Sequence, residues 1–335
     1  MVNSNPMPTS ALATTDAPAS GGGAETSRAT PAGADFDAWA AQRAQRAREL
    51  IERHVGAGLA PGASLGEAMH YAAALGGKRM RPLLVWATGE CLGADPAALD
   101  AAALATELVH AYSLVHDDLP CMDNDVLRRG MPTVHVRFGE AMALLAGDAL
   151  QTRAFEVLTG DAALAPALQA RLCGLLAGAA GAAGMAGGQA TDLLATGQRL
   201  DLDALRDMHA RKTGALLRAS VLMGVACAAE RDAELAARCE PALRTYAENI
   251  GLAFQVVDDV LDASMDSATL GKTAGKDAEQ GKATFVSLLG VEPARQYAQR
   301  LLDQALEALR RLPPPAQQRT QRLAELACRV LARSH

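Results

Sequence analysis

The chain is poor in aromatic residues, with two tryptophans, four tyrosines and five phenylalanines in 335 positions. Aromatic side chains supply stacking platforms and much β propensity, so their shortage disfavours a strand-rich fold and a base-stacking surface. Positive charge is not in excess either: lysine plus arginine number 32 against 38 acids, a formal charge of −6. A basic nucleic-acid footprint is excluded. The six cysteines, Cys91, Cys121, Cys173, Cys227, Cys239 and Cys328, lie far apart without a CxxC pair. They read as reduced, small core residues of a cytoplasmic protein. The opening MVNSNPMPTSALATTDAP lacks a basic region followed by a continuous apolar run, so no secretory signal is expected, and Asp16 and Glu25 weigh against a transit peptide. No membrane span is expected. The charge-free stretch Leu172–Gly188, 17 residues, is too short and too rich in Gly and Ala. Its Gly174, Gly178, Gly181, Gly184 and Gly188 are expected to let a buried helix pack closely against its neighbours.

What is present is a globular composition, 50% hydrophobic and 21% charged. Residues 1–34, a Ser/Thr/Ala/Gly/Pro mixture, cannot offset the entropy of ordering and are expected to form a disordered low-complexity tail. Residues 35–335 are then one domain. Apolar residues at three- and four-residue spacing predict helices over roughly 36–57, 64–75, 79–92, 97–119, 138–158, 163–186, 201–211, 214–229, 232–264, 284–289, 292–311 and 316–333. No strand is expected, and the fold class is all-α.

Four carboxylates crowd the end of one apolar helix in His110-Ala-Tyr-Ser-Leu-Val-His-Asp117-Asp118-Leu-Pro120-Cys-Met-Asp123-Asn124-Asp125. Like charges so close raise one another's pKa, and acids are disfavoured at a helix C-terminus, so the cluster calls for cations. Hard oxygens suit Mg²⁺, which takes one or two carboxylates and completes its shell with phosphate oxygens. On an ideal helix Asp123 would stand about 120° from Asp117, so both reach one metal group only if Pro120 breaks the helix. A second cluster, Gln255, Asp258, Asp259 and Asp262, falls at i, i+3, i+4 and i+7 on one helix face. Cations beside glycines recur at Gly76-Gly77-Lys78-Arg79-Met80-Arg81, Arg128-Arg129-Gly130, Arg211-Lys212-Thr213-Gly214, Gly271-Lys272 and Gly281-Lys282. Metal ligands and basic clamps in an acidic protein describe a site for Mg²⁺ and diphosphate.

In order, spacing and content, GGKRMRP (76–82), HAYSLVHDDLPCMDND (110–125), RRG (128–130), GGQATDL (187–193), KTGAL (212–216), FQVVDDVLD (254–262) and TLGKTAGKD (269–277) resemble the bacterial short-chain trans-prenyltransferases of the polyprenyl synthetase family. The resemblance covers about 36–335 and implies a single large helical bundle of the isoprenoid synthase type around a central apolar cavity. It implies that Asp117, Asp118 and Asp123 on one wall and Asp258, Asp259 and Asp262 on the other hold Mg²⁺, with Mn²⁺ as a substitute. Arg128, Lys212, Thr213, Gln255 and Lys272 would hold an allylic diphosphate, with Lys282 a further candidate. Lys78, Arg81, His110 and Arg129 would hold isopentenyl diphosphate. Gln189 and Asp192 would line the cavity or support the ligands. Catalysis would rest on Asp117, Asp118, Asp123, Lys212 and Asp258, and the family implies a homodimer. On the residues alone His110, beside Leu108 and Val109, reads as a core histidine.

The reaction implied is head-to-tail condensation of isopentenyl diphosphate with dimethylallyl and geranyl diphosphates to farnesyl diphosphate. Geranyl or geranylgeranyl diphosphate is the alternative product. Tyr112 and Ser113, five and four residues before Asp117, are the chain-length candidates. Helical geometry leaves open whether the Tyr112 ring enters the cavity, since it lies about 140° from the Asp117 face. Two other readings compete. A class I terpene cyclase would use the first aspartates similarly, but its second motif departs from DDxxD. A di-iron bundle needs two Glu-x-x-His pairs, and Glu67–His70 and Glu107–His110 supply them while leaving both aspartate clusters unexplained.

Overall fold

The computed structural model describes residues 32–60, 64–198, 200–264 and 282–332. Within them the chain is a helical bundle. Helix α1 (Ala32–His54) begins three residues inside the segment expected to be tail, and α2 (Ser64–Ala74) follows. Helices α3 (Met80–Leu92) and α4 (Pro96–Asp117) are apolar almost all round, the pattern of helices enclosed on every side. At the start of α4 the Asp95 side chain accepts a hydrogen bond from the Ala97 N–H at 2.8 Å, and Pro96, with no N–H of its own to satisfy, occupies the first helical position.

The end of α4 positions the site. Pro120 cannot continue the helix, so the chain curls back on itself: the Asp123 N–H donates to the Asp117 carbonyl at 2.9 Å, and Asn124 takes a left-handed φ of 51°. The break expected at Pro120 is present. A strand pair, β1 (Leu127–Arg128) and β2 (Met131–Pro132), departs from the expectation of no strand. Two residues per strand are too few for alternation to register in the sequence. Arg129 and Gly130 between them both have positive φ, 54° and 76°, the backbone of a tight primed hairpin turn.

Short α5 (Val134–Phe138) leads into α6 (Glu140–Gly160). The helix expected over 163–186 is in fact two, α7 (Pro166–Ala180) and α8 (Met185–Ala195). Close packing at the break requires glycine, because a Cβ on Gly184 would lie 2.2 Å from the Ala179 carbonyl oxygen. Gly188 likewise lets α8 touch its neighbour. Gly174 and Gly178 do not pack as expected; they face outward, with nothing within 4 Å of an added Cβ. After α9 (Leu202–His209) the backbone widens into one π-helical turn, Ala210–Gly214, before α10 (Ala215–Ala229). Then come α11 (Ala233–Ser264), α12 (Phe285–Leu289), α13 (Val291–Arg310), a 3₁₀ turn at Ala316–Arg319 and α14 (Gln321–Leu331).

Helix α4 packs on α3 and α6, α10 on α3 and α11, and α11 on α13. The stretches Pro166–Ala195 and Leu202–Ala229 are long and apolar enough to cross a membrane by composition alone; the second is mostly buried in the bundle. Helices α3 and α10 approach closely where Gly224 leaves room: an added Cβ would lie 2.8 Å from both the Thr88 Cβ and the Val85 carbonyl oxygen. Gly224→Ala is therefore expected to cost about 1–3 kcal/mol, seen as a lower urea midpoint at unchanged m-value. An unmoved midpoint would show that the two helices do not meet there.

Candidate active site

A cavity of about 670 Å³ opens between the end of α4, the β1–β2 hairpin, α8, the π-turn and α11. Its size is that of a small-molecule site. Asp117 lines it from α4 and Asp258 from α11, so both aspartate motifs contribute to the cavity. Burial and the carboxylates of Asp123 and Asp118 push the Asp117 carboxyl up to about 6, against the pull of Lys212 and Arg128.

The six aspartates do not play equal parts. Asp118 is buried and accepts from the Arg128 guanidinium through Nε at 2.9 Å and Nη2 at 2.5 Å. Asp123 accepts from the Lys282 Nζ at 3.3 Å, a link between residues 159 apart in sequence. Asp259 is buried behind Asp258, where it accepts from Gln255 Nε2 at 3.0 Å and from the Phe285 backbone N–H at 2.7 Å. Asp262 is buried too. Gln255 in turn accepts from the Thr213 hydroxyl at 3.2 Å, so the π-turn and the second motif are joined directly.

Lys212 projects from the π-turn, a feature found often at functional sites. Its Nζ stands 2.6 Å from Asp192 Oδ2. Burial opposes ionisation of Asp192, yet the Lys212 ammonium holds its carboxyl below the usual range. This contact depends on Gly188, because a Cβ there would lie 2.2 Å from the Lys212 backbone nitrogen.

Basic groups also line the cavity. Arg81 lines the cavity, its buried Nε lacks a hydrogen-bond partner among the described residues, and burial pulls its pKa down to about 10. A buried guanidinium nitrogen left without an acceptor fits a site built for an anion. His110 also lines the cavity and is no mere core residue. Burial, then the charges of Arg81, Arg129, Arg128 and Arg79, hold it well below the ordinary histidine value, so its imidazole is neutral near pH 7. Arg129 sits over Gly77, where a Cβ would lie 2.6 Å from its guanidinium carbon.

Other expected residues fall as follows. Tyr112, Ser113, Gln189, Lys212, Thr213, Gln255, Arg128 and Arg129 all line the cavity. Lys78 is exposed on the loop before α3, outside that lining. Lys272 lies outside the described residues. In the sequence Arg79 counted only as one of the recurring cations, with no role of its own, and Glu107 only as half of a di-iron pair. The two form a buried ion pair, with Arg79 in a left-handed conformation at φ 48°. The turn signal of the glycine pair in Gly76-Gly77-Lys78-Arg79, just ahead of the helix, was the available clue. Glu107 is thus paired with an arginine, and Glu67 and His70 line a separate groove. A di-iron centre does not form from them.

Among the described residues no three His, Cys, Asp or Glu side chains converge enough to hold a metal by themselves. Carboxylates brought to one cavity from α4 and α11 nonetheless fit Mg²⁺, whose shell is completed by water and phosphate oxygens.

A sequence model of the polyprenyl synthetase family matches residues 63–317. The farnesyl diphosphate synthase of Escherichia coli is 54% identical over 250 residues, covering 73% of this chain and 82% of that protein. An FPP/GFPP synthase from Zymomonas mobilis superposes with a TM-score of 0.77 at 40% identity, over 89% of this chain and 99% of that one. A geranyltransferase from Helicobacter pylori, solved with magnesium and isoprenyl diphosphate, gives a TM-score of 0.78 at 33% identity, over 91% and 99%.

The crowded Asp117 generates a test in the metal-free protein. Its carboxyl rises from an unfolded value near 3.8 to about 6 on folding, so ionised Asp117 opposes folding. The penalty, on the order of 2–3 kcal/mol, is full above about pH 6 and gone below about pH 4. With a chelator present, Asp117→Asn is expected to raise the thermal midpoint at pH 8 and leave it unchanged at pH 4. Equal midpoints at both pH values would show that Asp117 is not strained.

Proposed function

The chain belongs to the polyprenyl synthetase family, and from that premise we propose that this prenyltransferase joins isopentenyl diphosphate head-to-tail to dimethylallyl and geranyl diphosphates, ending at farnesyl diphosphate. One observation carries the reading: a single cavity receives aspartates from α4 and α11 and a buried arginine nitrogen without an acceptor among the described residues.

Asp117, Asp118 and Asp123 on one side and Asp258, Asp259 and Asp262 on the other would hold Mg²⁺. The bound ion supplies positive charge that stabilises the diphosphate as it acquires negative charge. Lys212, Thr213, Gln255 and Arg128 orient the allylic diphosphate, with Lys272 and Lys282 as further donors. Arg81, His110, Arg129 and Lys78 hold isopentenyl diphosphate. The allylic C–O bond breaks with its electron pair leaving on diphosphate. The C=C of isopentenyl diphosphate attacks the allylic carbon, and the proton lost from C2 passes to the departed diphosphate. Leu114, Met185, Leu193, Phe254 and Leu261 keep water from the cation. No side-chain nucleophile is required.

Tyr112 is assigned as the stop that limits the chain to C15. Its ring lines the cavity, and burial together with Asp117 raises its hydroxyl to about 12, so it stays un-ionised. Three consecutive helices turn apolar or small residues outward: Leu144 and Leu145 on α6, Gly174 and Gly178 on α7, and Leu194 on α8. A second copy would cover them, as a homodimer. The cysteines, all free, fit a reducing cytoplasm.

The deciding experiment offers labelled isopentenyl diphosphate with C5, C10 or C15 allylic diphosphates, with and without Mg²⁺; product forms only with Mg²⁺ and ends chiefly at C15. Asp117→Ala and Asp258→Ala are each expected to lower turnover about a hundredfold or more while the helical spectrum persists. Unchanged turnover at saturating Mg²⁺ in both would remove the metal assignment. Arg129→Ala should chiefly raise the apparent KM for isopentenyl diphosphate, and Arg128→Ala that for the allylic substrate. Equal weakening of one substrate by both variants would refute the division between the two arginines.

A further inference from the structure

We infer that the cavity floor is a propped pair of rings, and that His116 and Gly147 are positioning residues that set product length by fixing Tyr112. The inference rests on the reading of Tyr112 as the stop.

Tyr112 and His116 are four residues apart on α4 and both line the cavity. Their ring centroids are 5.8 Å apart at 70°, an edge-to-face contact of the kind that favours one mutual orientation. His116 is itself seated from the other side. Its Nε2 lies 3.1 Å from the Leu144 carbonyl oxygen on α6, and since a carbonyl only accepts, Nε2 carries the proton. The Asp148 carboxylate stands 3.8 Å from the same nitrogen.

The seat exists because residue 147 has no side chain. A Cβ on Gly147 would lie 2.0 Å from Nε2, 2.4 Å from Cδ2 and 2.8 Å from Cε1 of the imidazole. Gly147 lies within α6, and its φ is not among the positive ones, so its backbone conformation does not demand glycine. Mid-helix glycine weakens a helix relative to alanine. What glycine provides here is room for the imidazole. The α6 backbone thus fixes His116, and His116 fixes the edge of Tyr112 that faces the cavity.

The test compares products of the purified full chain from isopentenyl and dimethylallyl diphosphates, after dephosphorylation and chromatography. Tyr112→Ala serves as reference and should extend the product to C20 or beyond. His116→Ala removes the prop and should raise the C20:C15 ratio about threefold to tenfold, the scale of one aromatic contact. Gly147→Ala should raise it similarly by expelling the imidazole. In the His116→Ala background the same Gly147→Ala change should be silent to within about twofold, because the ring it displaces is gone. Product length is a readout that a merely structural role would not move. If Tyr112→Ala lengthens the product and His116→Ala does not, the prop is wrong and the stop stands. If Tyr112→Ala still ends at C15, stop and prop fail together. Should Gly147→Ala not fold by circular dichroism, His116→Ala against Tyr112→Ala decides alone.

Discussion

Charge of one sign must be concentrated beside an apolar interior, and the rest of the structure answers that constraint. A carboxylate or guanidinium near low-dielectric surroundings is costly unless an opposite charge meets it. The chain meets the cost with fixed internal partners: Asp118 with Arg128, Asp192 with Lys212, Arg79 with Glu107, and Asp123 with Lys282. Each pair joins two different segments. The same contacts that neutralise the site therefore also hold its walls in register. Motif residues divide accordingly into those that face the cavity, such as Asp117, Asp258 and Arg81, and those that brace them.

This division explains what the sequence made legible. The periodicity of α3, α4, α10 and α11 follows from burial and was readable, as was the helix break that Pro120 enforces. The motif residues were readable too, because carboxylates at a helix C-terminus conflict with the helix dipole. Their individual duties were not. Asp258 and Asp259 are neighbours in a motif, yet one lines the cavity while the other is held by Gln255 and the Phe285 amide. Helix α8 escaped because Gly187 and Gly188 lower its intrinsic propensity, and contact with the π-turn compensates. The orientation of Tyr112 was undetermined by α4 alone because it is fixed through His116 by α6.

Glycine acts here as a spacing device between helices. Gly188 against the Lys212 backbone, Gly251 against Gly214, and Gly224 against Val85 bring backbones into near contact. At Gly188 and Gly251 those contacts sit directly behind the cavity, so a displaced backbone would carry Lys212 or Thr213 with it. Packing and chemistry are not separable in this part of the fold.

The π-turn at Ala210–Gly214 gives a last consequence, in the currency of chain length. A π-turn is an α-helical turn that has accommodated one extra residue. Helices α9 and α10 run directly into and out of it, so the extra residue is taken up within the turn itself. Removing one residue from this turn would let the helix close into regular α geometry, with the helices on either side keeping their phase while the wide turn that presents Lys212 and Thr213 is lost. Lys212 and Thr213 could then keep their identities yet lose the register that brings one to Asp192 and the other to Gln255. At this place the site is encoded in the number of residues as much as in their kind.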